Sequence, residues 1–306
     1  MSLKKIVLAG GTGNIGQLLT DYFLPFGYQV VILSRSERKG APERVQYVQW
    51  DGEHMGDWML VLDGADMLIN LSGKSIQCRF TARNKEVLLA SRILPTKVLG
   101  QAIAQLHNPP RLWINFSGVS IFEGVEGLHD EGSTQYGHTF LADLVQQWEN
   151  TFFEYHTPST LKVCLRLSPV LSRDFGMFKE LYPLAKLGLG GQVGDGEQQV
   201  CWIHEQDLVQ MVKWIMDHPA PSPLYHACAP EPVKNKIFMK ELRKSVGMSL
   251  GMPLPTPFAK IGAYFKDVES DMLLLTNAVQ SSRPLQQGFH YKFPNPSIAF
   301  SQLTQK

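Results

Sequence analysis

The chain predicts an α/β fold, a doubly wound parallel sheet with helices on both faces, followed by a smaller C-terminal α+β domain. Three observations predict it. Short apolar runs alternate with amphipathic helical stretches from Lys5 to Leu167. The first run leads straight into a glycine-rich turn and a helix. From Ser168 onward the alternation gives way to dense prolines and glycines. The expected division is 1–170 with 198–230 for the sheet domain, and 171–197 with 231–306 for the smaller, substrate-binding one.

The first unit is KIVLAGGTGNIG, Lys5 to Gly16. Ile6, Val7 and Leu8 suit a parallel strand buried on both faces. Gly10, Gly13 and Gly16 stand three apart, with Gly11 and Thr12 in the first interval and Asn14 and Ile15 in the second. In a dinucleotide-binding turn, glycines at this spacing permit the reversal, the approach of backbone N–H groups to a pyrophosphate, and the packing of helix on strand. The helix beginning near Asn14 aims the positive end of its dipole at the phosphates. Its apolar side is Leu18, Leu19, Phe23 and Leu24, and Pro25 and Gly27 stop it. A second strand, Tyr28 to Leu33, closes a unit of about 30 residues, the length of a strand-helix-strand crossover. The bland alternative is a tight turn with no ligand.

The residues after the second strand choose the cofactor. They are Ser34 and Arg35, with Arg38 and Lys39 behind. An acid here would accept from the ribose 2′-hydroxyl of NAD, whereas a guanidinium clasps a 2′-phosphate. NADP(H) is therefore favoured; the competing reading is a solvated basic loop.

Val45 to Gln49 reads as a third strand ending at Trp50 and Asp51, either of which is placed to flank an adenine. Met67 to Leu71 makes a fourth and delivers Ser72 and Gly73, small enough for close backbone approach to a phosphate or ribose. A long amphipathic helix follows from Thr81, its N-cap, to Leu106, with a bend expected at Pro95. Leu112 to Phe116 is the fifth strand, leading to Ser117, Gly118, Val119 and Ser120. A polar loop carrying Asp130 and Glu131 reads as solvated, with substrate contact as its other reading. Then come the helix of Phe140 to Tyr155 and the sixth strand, Leu161 to Leu167. Beyond it, Val200 to Ile203 reads as one strand and Asp207 to Met216 as a helix. The last seventy residues, with Pro253, Pro255, Pro257, Pro284, Pro294 and Pro296, are expected to cap the carboxyl ends of the sheet.

Composition excludes several classes. A 44% hydrophobic fraction and a net charge of +1 over 306 residues give neither the signature of disorder nor the basic excess of a nucleic-acid binder. No uninterrupted apolar run approaches the ~20 residues of a membrane helix. The first strand starts too close to Met1 for a signal or transit peptide. The expectation is a soluble cytoplasmic protein, monomer or homodimer, acting on a small molecule with neither nucleic acid nor membrane as partner. Cys78, Cys164, Cys201 and Cys228 form no Cys-x-x-Cys, and the nine histidines form no metal-ligand spacing, so free thiols and no metal are expected.

Several further motifs link these elements: NLSGKSI (Asn70 to Ile76), Ser91-Arg92, LGLGG (Leu187 to Gly191), WIHEQDLV (Trp202 to Val209) and RPLQQGFHYKFP (Arg283 to Pro294). With GGTGNIG and Ser34-Arg35 they make the chain resemble the extended short-chain dehydrogenase/reductase superfamily, more narrowly its epimerase-family branch labelled as nucleoside-diphosphate-sugar epimerases. The resemblance spans essentially the whole chain. It implies a Rossmann fold holding NADP(H) through the glycine turn, Ser34, Arg35, the Leu71 and Ser72 backbone, Arg92 and the segment around Val170 that borders the nicotinamide. It also implies hydride transfer on a carbonyl or secondary alcohol.

The chain departs from that superfamily in its proton-transfer residues. Active members carry Ser or Thr after the fifth strand and Tyr-x-x-x-Lys on the next helix, where the lysine lowers the tyrosine pKa. The helix FLADLVQQWE has neither. Tyr182 and Lys186 have the spacing but flank Pro183 after the sixth strand, and are set aside. Ser117 and Ser120 bracket the hydroxyl position, which Val119 occupies, and Ser117 is the candidate catalytic residue. Tyr136 and His138 are the substitutes at hand; Arg166 reads as an internal ion-pair partner and His204 as a capping residue. The second functional reading is a non-catalytic NADP(H) sensor that has lost the Tyr-x-x-x-Lys pair.

Overall fold

The structure, a computed structural model, describes residues 4–38, 40–256 and 276–305. Lys39 and Pro257 lie outside the described residues. The strands, in chain order, are β1 Lys5–Ala9, β2 Gln29–Ser34, β3 Val45–Gln49, β4 Met67–Asn70, β5 Leu112–Gly118, β6 Leu161–Leu167, β7 Val170–Leu171, β8 Gln199–Val200, β9 Ile203–His204, β10 Leu224–Ala227 and β11 Val233–Lys234. The helices are α1 Asn14–Phe23, α2 Ala82–Gln105, α3 Phe140–Glu154, α4 Gly176–Lys186, α5 Glu205–Asp217, α6 Asn235–Ser245, α7 Arg283–Gln286 and α8 Pro296–Thr304.

Seven strands form one sheet in the order β10-β6-β5-β4-β1-β2-β3, every neighbouring pair parallel. Successive residues of a strand face opposite sides. Ile6 and Leu8 therefore join a core with Leu19 and Phe23 of α1 and Leu208, Met211 and Ile215 of α5. Val7 and Ala9 join the other, with Val98, Leu99 and Ile103 of α2 and Phe152 of α3. Burial on both faces is why these strands read as continuous apolar runs rather than as alternating ones. A third core gathers Phe178 of α4, Trp202, Phe238 of α6 and Phe300 of α8 at the carboxyl side of the sheet.

α1, α2 and α3 begin where the sequence places them, and α5 begins two residues earlier than expected, at Glu205. Thr81 Oγ1 accepts from Asn84 N and Thr139 Oγ1 from Ala142 N, two side-chain N-caps. α2 continues through Pro95 as one helix. The expected strand Val200–Ile203 is instead two: β8 pairs antiparallel with β11, and β9 pairs parallel with β7. Cys201 and Trp202 between them are buried and turn the chain from one partner to the other. The seventh sheet strand, β10, is too short to stand out from its surroundings, and its place beside β6 is fixed by pairing with residues about 60 positions earlier.

Candidate functional site

Because all seven strands are parallel, their carboxyl ends share one edge, and the strand order reverses between β1 and β4. Such a switch point opens a crevice at that edge. The glycine turn sits in it, and each glycine has its own reason. Gly10 has φ +72°, donates to Leu33 O at 3.0 Å, and a Cβ there would lie 3.0 Å from the Ser72 backbone, so the turns after β1 and β4 close on each other only at a glycine. A Cβ on Gly16 would fall 2.1 Å from Gly11 O, which fixes how closely α1 packs on the turn. Gly13 is different: a Cβ there meets nothing within 4 Å. It is the N-cap of α1 and supplies no side-chain cap, so the first amides of the helix, from Asn14, Ile15 and Gly16, have no helical acceptor. Thr12 and Asn14 are exposed beside this open space and Ile15 is half-buried.

The facing wall is the turn after β4. Leu71 N donates to Ala9 O at 2.9 Å and Ser72 N to Asn70 Oδ1 at 3.1 Å. Asn70 is itself held by Asn115 Oδ1 (2.8 Å) and Thr96 Oγ1 (3.0 Å), and Trp148 Nε1 donates to the same hydroxyl (2.9 Å). This buried network ties β4, β5, α2 and α3 together and sets the turn rigidly. Ser72 Oγ is buried without a hydrogen-bond partner among the described residues. Behind Gly73 lies Arg92, whose guanidinium donates to Leu88 O and Lys74 O at 3.0 Å and stacks over Trp148. Burial holds its pKa down at about 10.

Past β2, Arg35 is exposed at a cleft of about 450 Å³ whose walls include Gln49, Asp51, His54 and Trp58. Ser34 Oγ donates to Ser36 O at 3.0 Å, so this hydroxyl shapes the turn that presents Arg35. Trp50, expected beside an adenine, also lines this cleft, though it is 5% exposed and packs edge-on against Trp58, and Asp51 stands at its rim. The Glu53 and His54 amides and the His54 ring hydrogen-bond Asp51 and hold it ionised, with a pKa of about 2.

At the far side of the crevice the Ser117 hydroxyl is 6% exposed and donates to Glu149 Oε1 at 2.6 Å. Glu149 forms a two-pronged pair with Arg166, both N–H···O distances being 2.8 Å. Arg166 also reaches Tyr136 OH at 3.2 Å and His226 Nε2 at 3.5 Å. His226 Nδ1 lies 3.0 Å from Gln280 O, which makes Nδ1 the protonated nitrogen and leaves Nε2 to accept from Arg166. Arg166 is thus the internal ion-pair partner its position on β6 suggests. Val119 is buried, Val170 borders the edge at 6% exposure, and His138 is exposed.

Two buried acids hold the C-terminal segment, and the first departs from its sequence reading. Glu131, expected in solvent, is 5% exposed and accepts from the amides of His226, Ser282 and Arg283 at 3.0–3.1 Å, pinning the C-terminal motif to β10. Asp207 is fully buried and accepts from the Lys292 and Phe293 amides at 2.8 and 3.0 Å, joining WIHEQDLV to RPLQQGFHYKFP. His204 caps α5, accepting from Gln206 N at Nδ1, and stacks on Phe293. Asn70, Thr96, Asn115, Trp148 and Glu149 escaped sequence reasoning; a polar residue amid an apolar strand, as at Asn70 and Asn115, is the signal that marks two of them.

No family model matches the chain. Among curated proteins it is 30% identical over 305 residues to the epimerase family protein SDR39U1 of Bos taurus, covering 98% of this chain and 99% of that one. It is 30% identical over 302 residues to the epimerase family protein YfhF of Bacillus subtilis (strain 168), covering 97% of each. Among solved structures, human SDR39U1 (isoform 2) with NADPH superposes with a TM-score of 0.85 at 28% identity, covering 98% of this chain and 99% of that one. A nucleoside-diphosphate sugar epimerase from Corynebacterium glutamicum shares the fold at a TM-score of 0.76 and 24% identity, covering 99% of this chain and 58% of that one.

Proposed function

The chain belongs to the epimerase family of extended short-chain dehydrogenases/reductases, and on that premise we propose that it is an NADP(H)-dependent oxidoreductase acting by hydride transfer on a carbonyl or secondary alcohol of a small molecule. The observation that carries the reading is the turn at the switch point, where Gly13 opens on empty space in front of the unpaired amides of α1. The residues present fit a dinucleotide. The α1 amides suit its pyrophosphate, the orphaned Ser72 hydroxyl and the Leu71 backbone suit the ribose-phosphate opposite, and the exposed Arg35 suits a 2′-phosphate. Asp51, an acceptor at the rim of the Arg35 cleft, suits the amino group of an adenine. The relative crystallised with NADPH supports the same cofactor here. When bound, NADPH supplies the hydride to the substrate carbon.

The chain's own part is to hold and exclude. Asn70, Thr96, Asn115 and Trp148 fix the wall at Ser72, and Val119 and Val170 line the far side with apolar surface. We assign Ser117 to positioning: its proton is committed to Glu149, and with Arg166 it completes the set of donors that holds the Glu149 carboxylate in place between β5, β6 and α3. Without the superfamily tyrosine, the alkoxide formed by hydride transfer takes its proton from water or from another group. That loss costs on the order of 10² to 10⁴ in rate without abolishing the reaction.

Calorimetry with NADPH and NADH tests the cofactor. Arg35→Ala is expected to weaken NADPH binding about thirtyfold and leave NADH binding unchanged, since one charge-assisted contact is worth on the order of 2 kcal/mol. Equal affinity of the wild-type protein for the two cofactors refutes the assignment. Carbonyl compounds and sugar nucleotides screened by NADPH consumption test the activity. Tight cofactor binding with no turnover of any of them favours the second reading, an NADP(H) sensor, to which the commitment of Ser117 to Glu149 also points.

A further inference from the structure

On the NADP(H) reading, the cleft past β2 takes the adenosine end of the cofactor, and it asks opposite things of its charges. Asp51 suits the adenine amino group as an acceptor, and Arg35 suits the 2′-phosphate that distinguishes NADPH from NADH. Yet a carboxylate in the wall of a cleft of about 450 Å³ repels a phosphate dianion. Arg35 and Asp51 by themselves cancel, so a phosphate entering there meets no net charge. His54 changes that balance. It lines the same cleft, and its Nδ1 lies 2.7 Å from Asp51 Oδ2. Asp51 Oδ1 accepts from the Glu53 and His54 amides at 2.8 and 2.9 Å, and Trp58 Nε1 donates to His54 O at 2.9 Å, so the backbone that carries the ring is tied on both sides. With Nδ1–H committed to the carboxylate, Nε2 has no partner among the described residues, on a side chain that is 79% exposed.

We propose that His54 sets cofactor specificity: as an imidazolium held by Asp51 it cancels that carboxylate and leaves Arg35 in surplus, so the preference for NADPH over NADH is highest while the ring keeps its proton. The inference rests on the NADP(H) reading and adds a residue to it. One loop then serves both parts of the adenosine 2′-phosphate, the carboxylate for the base and the ring for the phosphate. The hydrogen bond from His54 and the charge of Asp51 raise the His54 pKa above its ordinary 6.5, and Glu53 adds to them. The charged groups facing the ring are Arg35 from the turn after β2 and Asp51 and Glu53 from its own loop; Gln49, Trp50, Met55 and Trp58 carry none. The two cofactors share every contact except the 2′-phosphate, so the ring's charge acts on NADPH alone. Above pH 7 that phosphate, with a second pKa of about 6, is already a dianion. As pH rises further the ring loses its proton, Asp51 stands uncompensated, and the preference falls. By linkage, NADPH binding raises the His54 pKa and NADH binding leaves it unchanged.

Calorimetry of the full chain with NADPH and NADH at pH 7 and pH 9 tests it, in low salt because the field of an exposed ring is screened. The ratio of NADPH to NADH affinity of the wild-type protein is expected to fall about fivefold between the two pH values, the size of one exposed charge contact. His54→Asn, which keeps a donor for Asp51 and loses the charge, is expected to show the lower ratio at both. His54→Lys, which keeps a charge to pH 9, is expected to show the higher ratio at both. Proton NMR of the His54 ring reads the linkage without any turnover, with its titration moving to higher pH on NADPH and not on NADH. A preference for NADPH that is the same at both pH values, or that keeps its pH dependence in His54→Asn, overturns the proposal and leaves the role of Arg35 standing. So does a His54 titration that NADPH does not move. Equal affinity for the two cofactors at both pH values refutes the cofactor reading itself, and this proposal with it.

Discussion

Two glycines of the same turn are expected to fail in opposite ways when each gains a single methyl group. Gly13 has φ −82° and ψ 177°, a conformation alanine adopts, and its added Cβ meets nothing within 4 Å. Loss of the glycine at an N-cap and the gain from a stiffer unfolded chain are each worth up to about 1 kcal/mol with opposite sign, so Gly13→Ala should melt within a degree or two of wild type. The same methyl occupies the space in front of the α1 amides. Denying a phosphate one or two charge-assisted N–H contacts should cost about 2–3 kcal/mol, or roughly 30- to 150-fold in NADPH affinity. Gly16→Ala reverses the pattern. Its Cβ would lie 2.1 Å from Gly11 O, well inside the 3.0 Å that Cβ atoms respect, with a backbone carbonyl that cannot swing aside. α1 must lift from the turn against a packed core, at a cost of about 1–3 kcal/mol, seen as a melting temperature lower by several degrees. Thermal melts and calorimetry with NADPH separate the two. Wild-type affinity in Gly13→Ala removes the pyrophosphate from this turn, and a wild-type melt in Gly16→Ala refutes the packing argument.

Other expectations concern the buried polar groups. Glu149→Gln leaves Arg166 buried beside a neutral partner and should lower stability by about 3–5 kcal/mol in denaturant unfolding. Ser117→Ala removes one hydrogen bond to the same carboxylate and should cost only about 1–2 kcal/mol with NADPH affinity unchanged; a large loss of affinity would place the hydroxyl in the cofactor site. His204 is fully buried, and burial lowers its pKa to about 4 from an ordinary 6.5, with His226 shifted the same way. The unfolded chain therefore takes up these protons first, so stability fully present above pH 6.5 is lost as pH falls from 6.5 towards 4, by about 3 kcal/mol for His204 alone. Equal urea midpoints at pH 7 and pH 4.5 would contradict it.

What the sequence determined by itself is what adjacent residues decide among themselves. Apolar runs, the three glycines, the threonine caps of α2 and α3 and the basic residue after β2 are local signals, and the strands, helix starts and cofactor preference follow from them. The superfamily resemblance extended the expected cofactor site to Arg92 and the segment around Val170. Tertiary structure decided whatever depends on partners far along the chain. The stretch from Gln199 to His204 became two strands because its halves pair with different neighbours, Val233–Lys234 and Val170–Leu171. Glu131 reads as a solvated loop acid until the C-terminal segment, some 150 residues away, brings backbone N–H groups that only an anion in the interior satisfies so fully, and Asp207 is held in the same way from 85 residues away. Ser117 reads from the sequence as a candidate catalytic hydroxyl, and only the fold brings Glu149, on another element, to accept its hydrogen bond. A polar side chain carries its hydrogen-bonding capacity in the sequence, but the partner that uses that capacity is set by the packing of the sheet and helices around it.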